Sequence, residues 1–115
     1  MLLVVQRCKS AEVIVSKKII AKIKFGLVLL LGIEKKDTLE DVLFLVNKVT
    51  SLRVFNDDHG KINLSINEIK GSILVVSQFT LCADTTKGRR PSFINSAKPL
   101  KAEKLYNNFI SKYNP

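Results

Sequence analysis

Tryptophan is absent, histidine and methionine occur once each, and 115 residues include only two cysteines, three prolines and five glycines. Each scarcity closes off a class of chemistry. His59, Cys8 and Cys82 match no metal-ligand spacing, and no metal or other cofactor is expected. The cysteines read as reduced packing residues. No charged region precedes the apolar residues at the N-terminus, so it does not read as a secretory signal, and the protein is expected in the cytoplasm. The glycines form no Walker-type or dinucleotide phosphate loop. Apolar runs such as Leu27 to Leu31 are far too short to span a bilayer, and no strongly basic amphipathic helix is evident, so no membrane partner is expected.

Negative charge is also scarce. Nineteen Lys and Arg residues face ten Asp and Glu, for a net charge of +9. A small protein with that balance favours polyanions, nucleic acid first among them, unless the excess only reflects a lysine-rich composition. Hydrophobic residues make up 46% of the chain, enough for a packed core, and no linker or repeat interrupts it. Residues 1–115 are read as one domain.

Strands are expected over residues 2–8 and 12–15, joined by Lys9-Ser10-Ala11, and over Ile19 to Ile23. The run from Gly26 to Ile33 reads as a central strand covered on both faces. A helix follows, capped by Asp37 or Thr38 with Glu40 or Asp41 three residues on, and Leu39, Val42, Leu43, Val46 and Val49 form its apolar face. Arg53-Val54-Phe55 and Lys61 to Leu64 flank a turn as a hairpin. Ser72 to Val76 is a buried strand, Cys82 to Lys98 a long irregular loop, and a second helix starts near Pro99 with Ala102, Leu105, Tyr106, Phe109 and Tyr113 on one side. The fold class is α+β: a strand-rich domain with a mainly antiparallel or mixed sheet and two main helices. Strands that come in hairpins argue against a doubly wound parallel sheet.

The most informative segment is Ser77-Gln78-Phe79-Thr80-Leu81, which ends the buried strand in hydroxyls, a carboxamide and a ring. That is more polar equipment than a core strand needs, because buried polar groups must find partners. A triad on Ser77 or Thr80 would need His59, which sits in an Asp-Asp-His-Gly turn and reads as a solvated surface residue. Backbone N–H groups at the strand end can hold an oxyanion without a titrating side chain. Lys87, Arg89 and Arg90 can grip phosphates, or simply keep a loop solvated, and Phe79 and Phe93 can stack on a base or pack in the core.

The motifs Gln6-Arg7-Cys8, Gly26-Leu27-Val28, Leu31-Gly32-Ile33-Glu34, Arg53-Val54-Phe55, Gly60-Lys61-Ile62-Asn63-Leu64, Val75 to Leu81 and Arg90-Pro91-Ser92-Phe93 fall in one order along nearly the whole chain. Together they resemble the D-aminoacyl-tRNA deacylase family, of the D-tyrosyl-tRNA deacylase type. The resemblance implies a homodimer whose partner is aminoacyl-tRNA rather than DNA. It also implies hydrolysis of the ester joining a D-amino acid to the terminal ribose, with glycine mischarged on alanine tRNA as a further substrate. Carried over, Ser77, Gln78, Phe79 and Thr80 line the pocket. Gln78, Phe79 and Thr80 are the catalytic candidates, Ser77, Arg7 and Phe93 the substrate-binding ones, and Lys87, Arg89 and Arg90 those that bind tRNA. Within the family Thr80 is viewed as a nucleophile, or else backbone N–H groups and the ribose hydroxyl assist a water. The sequence leans to the second reading, because Thr80 has no evident general base.

The family's second motif, a Gly–Pro dipeptide between two further strands, has no counterpart. Pro91, Pro99 and Pro115 all lack a preceding glycine. That departure implies an exposed sheet edge and weaker exclusion of L-amino acids. It keeps open an alternative to the enzyme, a non-catalytic RNA-binding remnant.

Overall fold

The computed structural model describes residues 1–113; Pro115 lies outside the described residues. Along the chain come β1 (Leu2–Cys8), β2 (Ala11–Val15), β3 (Lys18–Ile23), β4 (Gly26–Gly32), α1 (Leu39–Ser51), β5 (Phe55–Asn56), β6 (Ile62–Leu64), β7 (Ser72–Ser77), a 3-10 turn at Phe79–Cys82 and α2 (Pro99–Tyr113). The class is α+β, as expected. β4 lies at the centre of a three-stranded mixed sheet, antiparallel to β1 and parallel to β7.

The register explains the core. Leu3 faces Leu31, and Val5 and Val75 flank Leu29, so alternate apolar residues of three strands share one face. That face packs on Val42, Val46 and Val49 of α1 and on Leu105 and Phe109 of α2, all buried. Gly26 makes the β4–β7 pairing possible, because a Cβ there would lie 1.8 Å from the Ser72 carbonyl oxygen.

Several expectations change. β1 is not the hairpin partner of β2: it pairs with β4, and β2 turns back on β3 through Ser16 and Lys17, both left-handed at φ 51° and 65°. That two-residue turn suits the twist of a tight hairpin. β4 is covered fully on one face only. Leu27, Leu29 and Leu31 are buried, whereas Val28 and Leu30 are half-buried, because the β2–β3 hairpin lies towards β7 and leaves Leu2 and Val4 of β1 exposed. The apolar face of α1 is narrower than its sequence pattern, with Leu39 and Leu43 exposed beside the buried valines. The strand expected at Arg53–Phe55 forms at Phe55–Asn56, since Arg53 instead donates to the Asn63 carbonyl at 2.8 Å.

Thr38, not Asp37, caps α1. Its N–H donates to the Asp41 carboxylate at 2.8 Å, and this backbone hydrogen bond holds the Asp41 pKa below its usual range. Asp37 is buried and accepts instead from the Met1 ammonium and the Glu34 N–H, each at 2.7 Å. Among the described residues β1 and β7 are the two edge strands of this sheet.

Candidate active site

β7 delivers the site. Its ladder with β4 ends where the Gln78 N–H donates to the Leu31 carbonyl at 2.8 Å. The chain then tightens into the 3-10 turn, closed by the Leu81 N–H on the Gln78 carbonyl and the Ala83 N–H on the Thr80 carbonyl. The first N–H groups of such a turn have no acceptor within it. The N–H groups of Phe79 and Thr80 hold that position, and both residues are exposed.

Gly32 lets the turn sit this close. A Cβ on Gly32 would lie 2.9 Å from Leu81 Cβ and 3.2 Å from Cys82 Sγ. Beneath the turn, Cys82 is buried, and burial pushes its thiol pKa up, consistent with a packing role and not a reactive one.

Phe79 is 59% exposed and is no core residue. Phe93 meets it edge-on, ring centroids 5.1 Å apart and planes at 64°. The segment bringing Phe93 there is more ordered than the irregular loop the composition suggests. Asp84 and Ser92 exchange two backbone hydrogen bonds of 2.7 Å, closing residues 84–92 into a finger. The Asp84 carboxylate accepts from the Thr86 hydroxyl at 2.7 Å and the Thr86 N–H at 2.9 Å, and these bonds hold its pKa below the ordinary carboxylate range. Gly88, with φ 78°, turns the chain in this finger, and Lys87, Arg89 and Arg90 all stand exposed on it.

Behind Phe79 opens a cavity of about 560 Å³, lined mainly by apolar surface. Ser77 and Phe79 form one wall, Ser96 and Ala97 a second, and Ala102, Glu103 and Tyr106 of α2 a third. The walls are pinned in place. Ala97 N–H donates to the Ile33 carbonyl at 2.9 Å, and the Tyr106 hydroxyl to the Val75 carbonyl at 2.9 Å. The helical spacing of Ala102 and Tyr106 already put them on one side of α2; nothing in the sequence marked Ser96, Ala97 or Glu103.

The four residues 77–80 therefore come together, with Phe93 against them. Arg7 does not join them within one chain. Ser77 pairs with Leu31 and Leu31 with Leu3, so Arg7 lies four residues along and two strands across, roughly 15 Å away by strand geometry. Its guanidinium donates to the Val54 carbonyl at 3.1 Å. His59 lies in the β5–β6 turn, where its N–H donates to Asp57. Thr80 accepts a hydrogen bond from the Gln78 side-chain amide, and no carboxylate or imidazole bonds its hydroxyl among the described residues. An amide that donates to Oγ occupies a lone pair and cannot remove a proton, so the arrangement does not activate Thr80 as a nucleophile.

Residues 4–115 match the family model described as D-Tyr-tRNA(Tyr) deacylase. D-aminoacyl-tRNA deacylase of Thermosipho melanesiensis is 58% identical over 109 residues, covering 95% of this chain and 73% of that protein. Its namesake from Desulfatibacillum aliphaticivorans is 53% identical over 94% of this chain and 74% of its own length. The fold superposes with a TM-score of 0.91 on a solved structure titled c-Myc DNA Unwinding Element Binding Protein, 38% identical and covering 96% of this chain and 74% of that one. A structure titled as a probable eukaryotic D-amino acid tRNA deacylase shares the fold at TM-score 0.81, covering 96% of this chain and 65% of that one, with 20% identity. The chain belongs to the D-Tyr-tRNA(Tyr) deacylase family.

Proposed function

We propose that this chain hydrolyses the ester joining a D-amino acid to the terminal ribose of tRNA, and that the reaction takes place over the turn at residues 77–80. The observation that carries the placement is the 3-10 turn after β7, which leaves the N–H groups of Phe79 and Thr80 unpaired within it and brings Ser77 and Phe79 to the wall of the 560 Å³ cavity. Fixed donors of that kind stabilise the negative charge that develops on an ester carbonyl in a tetrahedral intermediate, without reorganising. A water attacks the acyl carbon, its proton passes by way of the neighbouring ribose hydroxyl, and the bond from acyl carbon to ribose oxygen breaks. Free amino acid and tRNA leave.

In this reading Gln78 fixes the turn through Thr80, and Ser77, Phe79 and Phe93 hold the terminal adenosine and the aminoacyl group. Lys87, Arg89 and Arg90 meet phosphates of the acceptor end. Arg7, remote from residues 77–80 of its own chain, acts across a homodimer on the partner's site. Glycine lacks a side chain to exclude and is accepted as well. The cytoplasm, where tRNA is charged, is the compartment. The decayed-remnant alternative is disfavoured by the likeness to relatives named D-aminoacyl-tRNA deacylase and by pocket walls pinned by hydrogen bonds.

Incubation of the purified chain with D-aminoacylated tRNA tests the reading. Ester loss well above the spontaneous rate is the expected result. A folded protein that binds the tRNA yet leaves the ester intact would contradict it.

A further inference from the structure

We propose that the α-ammonium of Met1 is a positioning group for the cavity wall formed by Ser96 and Ala97, and that an acyl cap on Met1 loosens this wall and weakens the reaction. For the reaction, though not for the wall, the inference rests on the functional reading above. Pairing of Leu2 with Gly32 brings the first residue beside the segment that follows β4, and Met1 packs against the core there. Its ammonium donates to Asp37 Oδ1 at 2.7 Å and to Glu34 Oε1 at 3.0 Å. Both ion pairs among the described residues use it. Asp37 is 3% exposed, so this ammonium is what keeps a buried carboxylate from standing unpaired.

From there the contacts run without a gap to the site. The second Asp37 oxygen accepts from the Glu34 N–H at 2.7 Å, and the Asp37 N–H donates back to the Glu34 carbonyl at 3.1 Å. The carboxylate that holds the ammonium therefore also fixes the backbone after β4. That backbone carries the wall. Lys35 N–H donates to the Asn95 carbonyl and Ala97 N–H to the Ile33 carbonyl, each at 2.9 Å, and Glu34 and Ser96 form an antiparallel bridge between them. Ser96 and Ala97 line the cavity. A formyl or acetyl group on Met1 abolishes the charge and puts bulk where the two carboxylates converge.

Burial disfavours the ammonium, but its hydrogen bonds to Asp37 and Glu34 outweigh that and hold its pKa above the usual value. Other charges nearby act less directly. Lys35 and Lys36 share the loop, Lys101 of α2 gives its ammonium to the Lys35 carbonyl, and Asp41 and Cys82 feel the Met1 charge at longer range. A cation whose pKa rises on folding stabilises fully below its unfolded pKa, about 8, and that gain is lost as pH climbs through the folded value. The contribution is present at neutral pH and fades in alkali.

Cys8 allows a test on the full chain: a synthetic peptide of residues 1–7, with Met1 free or acetylated, is ligated to residues 8–115 and the product refolded. Tm and the hydrogen-exchange protection of the Lys35 and Ala97 amides are followed from neutral pH to about pH 10, and kcat and KM for D-aminoacyl-tRNA at neutral pH. The acetylated chain is expected to lose about tenfold in protection at both amides and about tenfold in kcat/KM, chiefly through KM. Its deficit in protection and Tm should narrow as pH rises. Glu34→Gln, which removes one ion pair and leaves Asp37 with its cation, should show a smaller version of these losses, and it decides the matter if the acetylated chain does not refold. Unchanged protection at Lys35 and Ala97 overturns the proposal, as does a loss spread evenly over the whole sheet, which would make the ammonium a general stabiliser. A deficit that persists undiminished in alkali would belong to the bulk of the acetyl group and also overturn it. A looser wall with an unaltered KM sinks the claim on the reaction. If the chain with a free amine hydrolyses no ester, the functional reading falls, and protection at Lys35 and Ala97 still decides the role at the wall.

Discussion

Gly32→Ala is expected to lower kcat/KM for D-aminoacyl-tRNA by about 100-fold while the protein still folds. The added Cβ would stand 2.9 Å from Leu81 Cβ, 3.2 Å from Cys82 Sγ and 3.4 Å from the Gln78 carbonyl oxygen. All three atoms belong to the 3-10 turn or to the residue just before it, so relief of the contact means moving the turn away from β4. The N–H groups of Phe79 and Thr80 ride on that turn and would move with it. Overpacking of this kind costs about 1–3 kcal/mol, which shifts Tm without abolishing the core of Leu27, Leu29, Val46 and Phe109. Kinetics measured beside a thermal melt separate the two effects. Wild-type kcat/KM in a Gly32→Ala variant would show that the turn's position does not matter to the chemistry.

Replacing Lys87, Arg89 and Arg90 together by alanine should raise KM for aminoacyl-tRNA by about 30-fold or more with little change in kcat. The three side chains stand exposed on a finger whose base is closed by Asp84 and Ser92, away from the core, so their loss should leave the fold alone. If each meets one phosphate, the dependence of log K on log salt becomes shallower by about two to three. An aminoacyl-adenosine fragment, which lacks those phosphates, should be hydrolysed by the variant as fast as by wild type. A variant that loses kcat on the fragment would move the finger into the chemistry. One with an unchanged salt slope would reduce these residues to solvated charge.

Much of this was legible in the residues because one physical signal dominated each element. The glycine-bounded run Gly26–Gly32 could only be a central strand, and Pro99 with its helical apolar spacing marked α2. What the pattern did not reveal was partnership. Hydrophobic alternation in β1 gives no hint that its mate is β4, twenty-odd residues on, and not the adjacent β2; tertiary packing decides that. The same limit applied to the site. The strand-end motif displayed its chemistry in sequence, whereas Ser96, Ala97 and Glu103 enter the cavity only because the chain returns past Ile33 and α2 lies across the turn. Phe79 shows the hazard in the other direction: an aromatic after a buried strand suggests core, yet the backbone turns first and leaves the ring 59% exposed.

The central claim is that backbone N–H groups, and not the Thr80 hydroxyl, support the reaction. Single-turnover deacylation of D-aminoacyl-tRNA by Thr80→Val, beside wild type, tests it most directly, because valine keeps the β-branched shape and the N–H while removing Oγ. The account predicts a rate within about tenfold of wild type, the residual loss reflecting the Gln78–Thr80 hydrogen bond. A drop of about 1,000-fold or more, or an acyl group found attached to Thr80 in the wild-type protein, would contradict it.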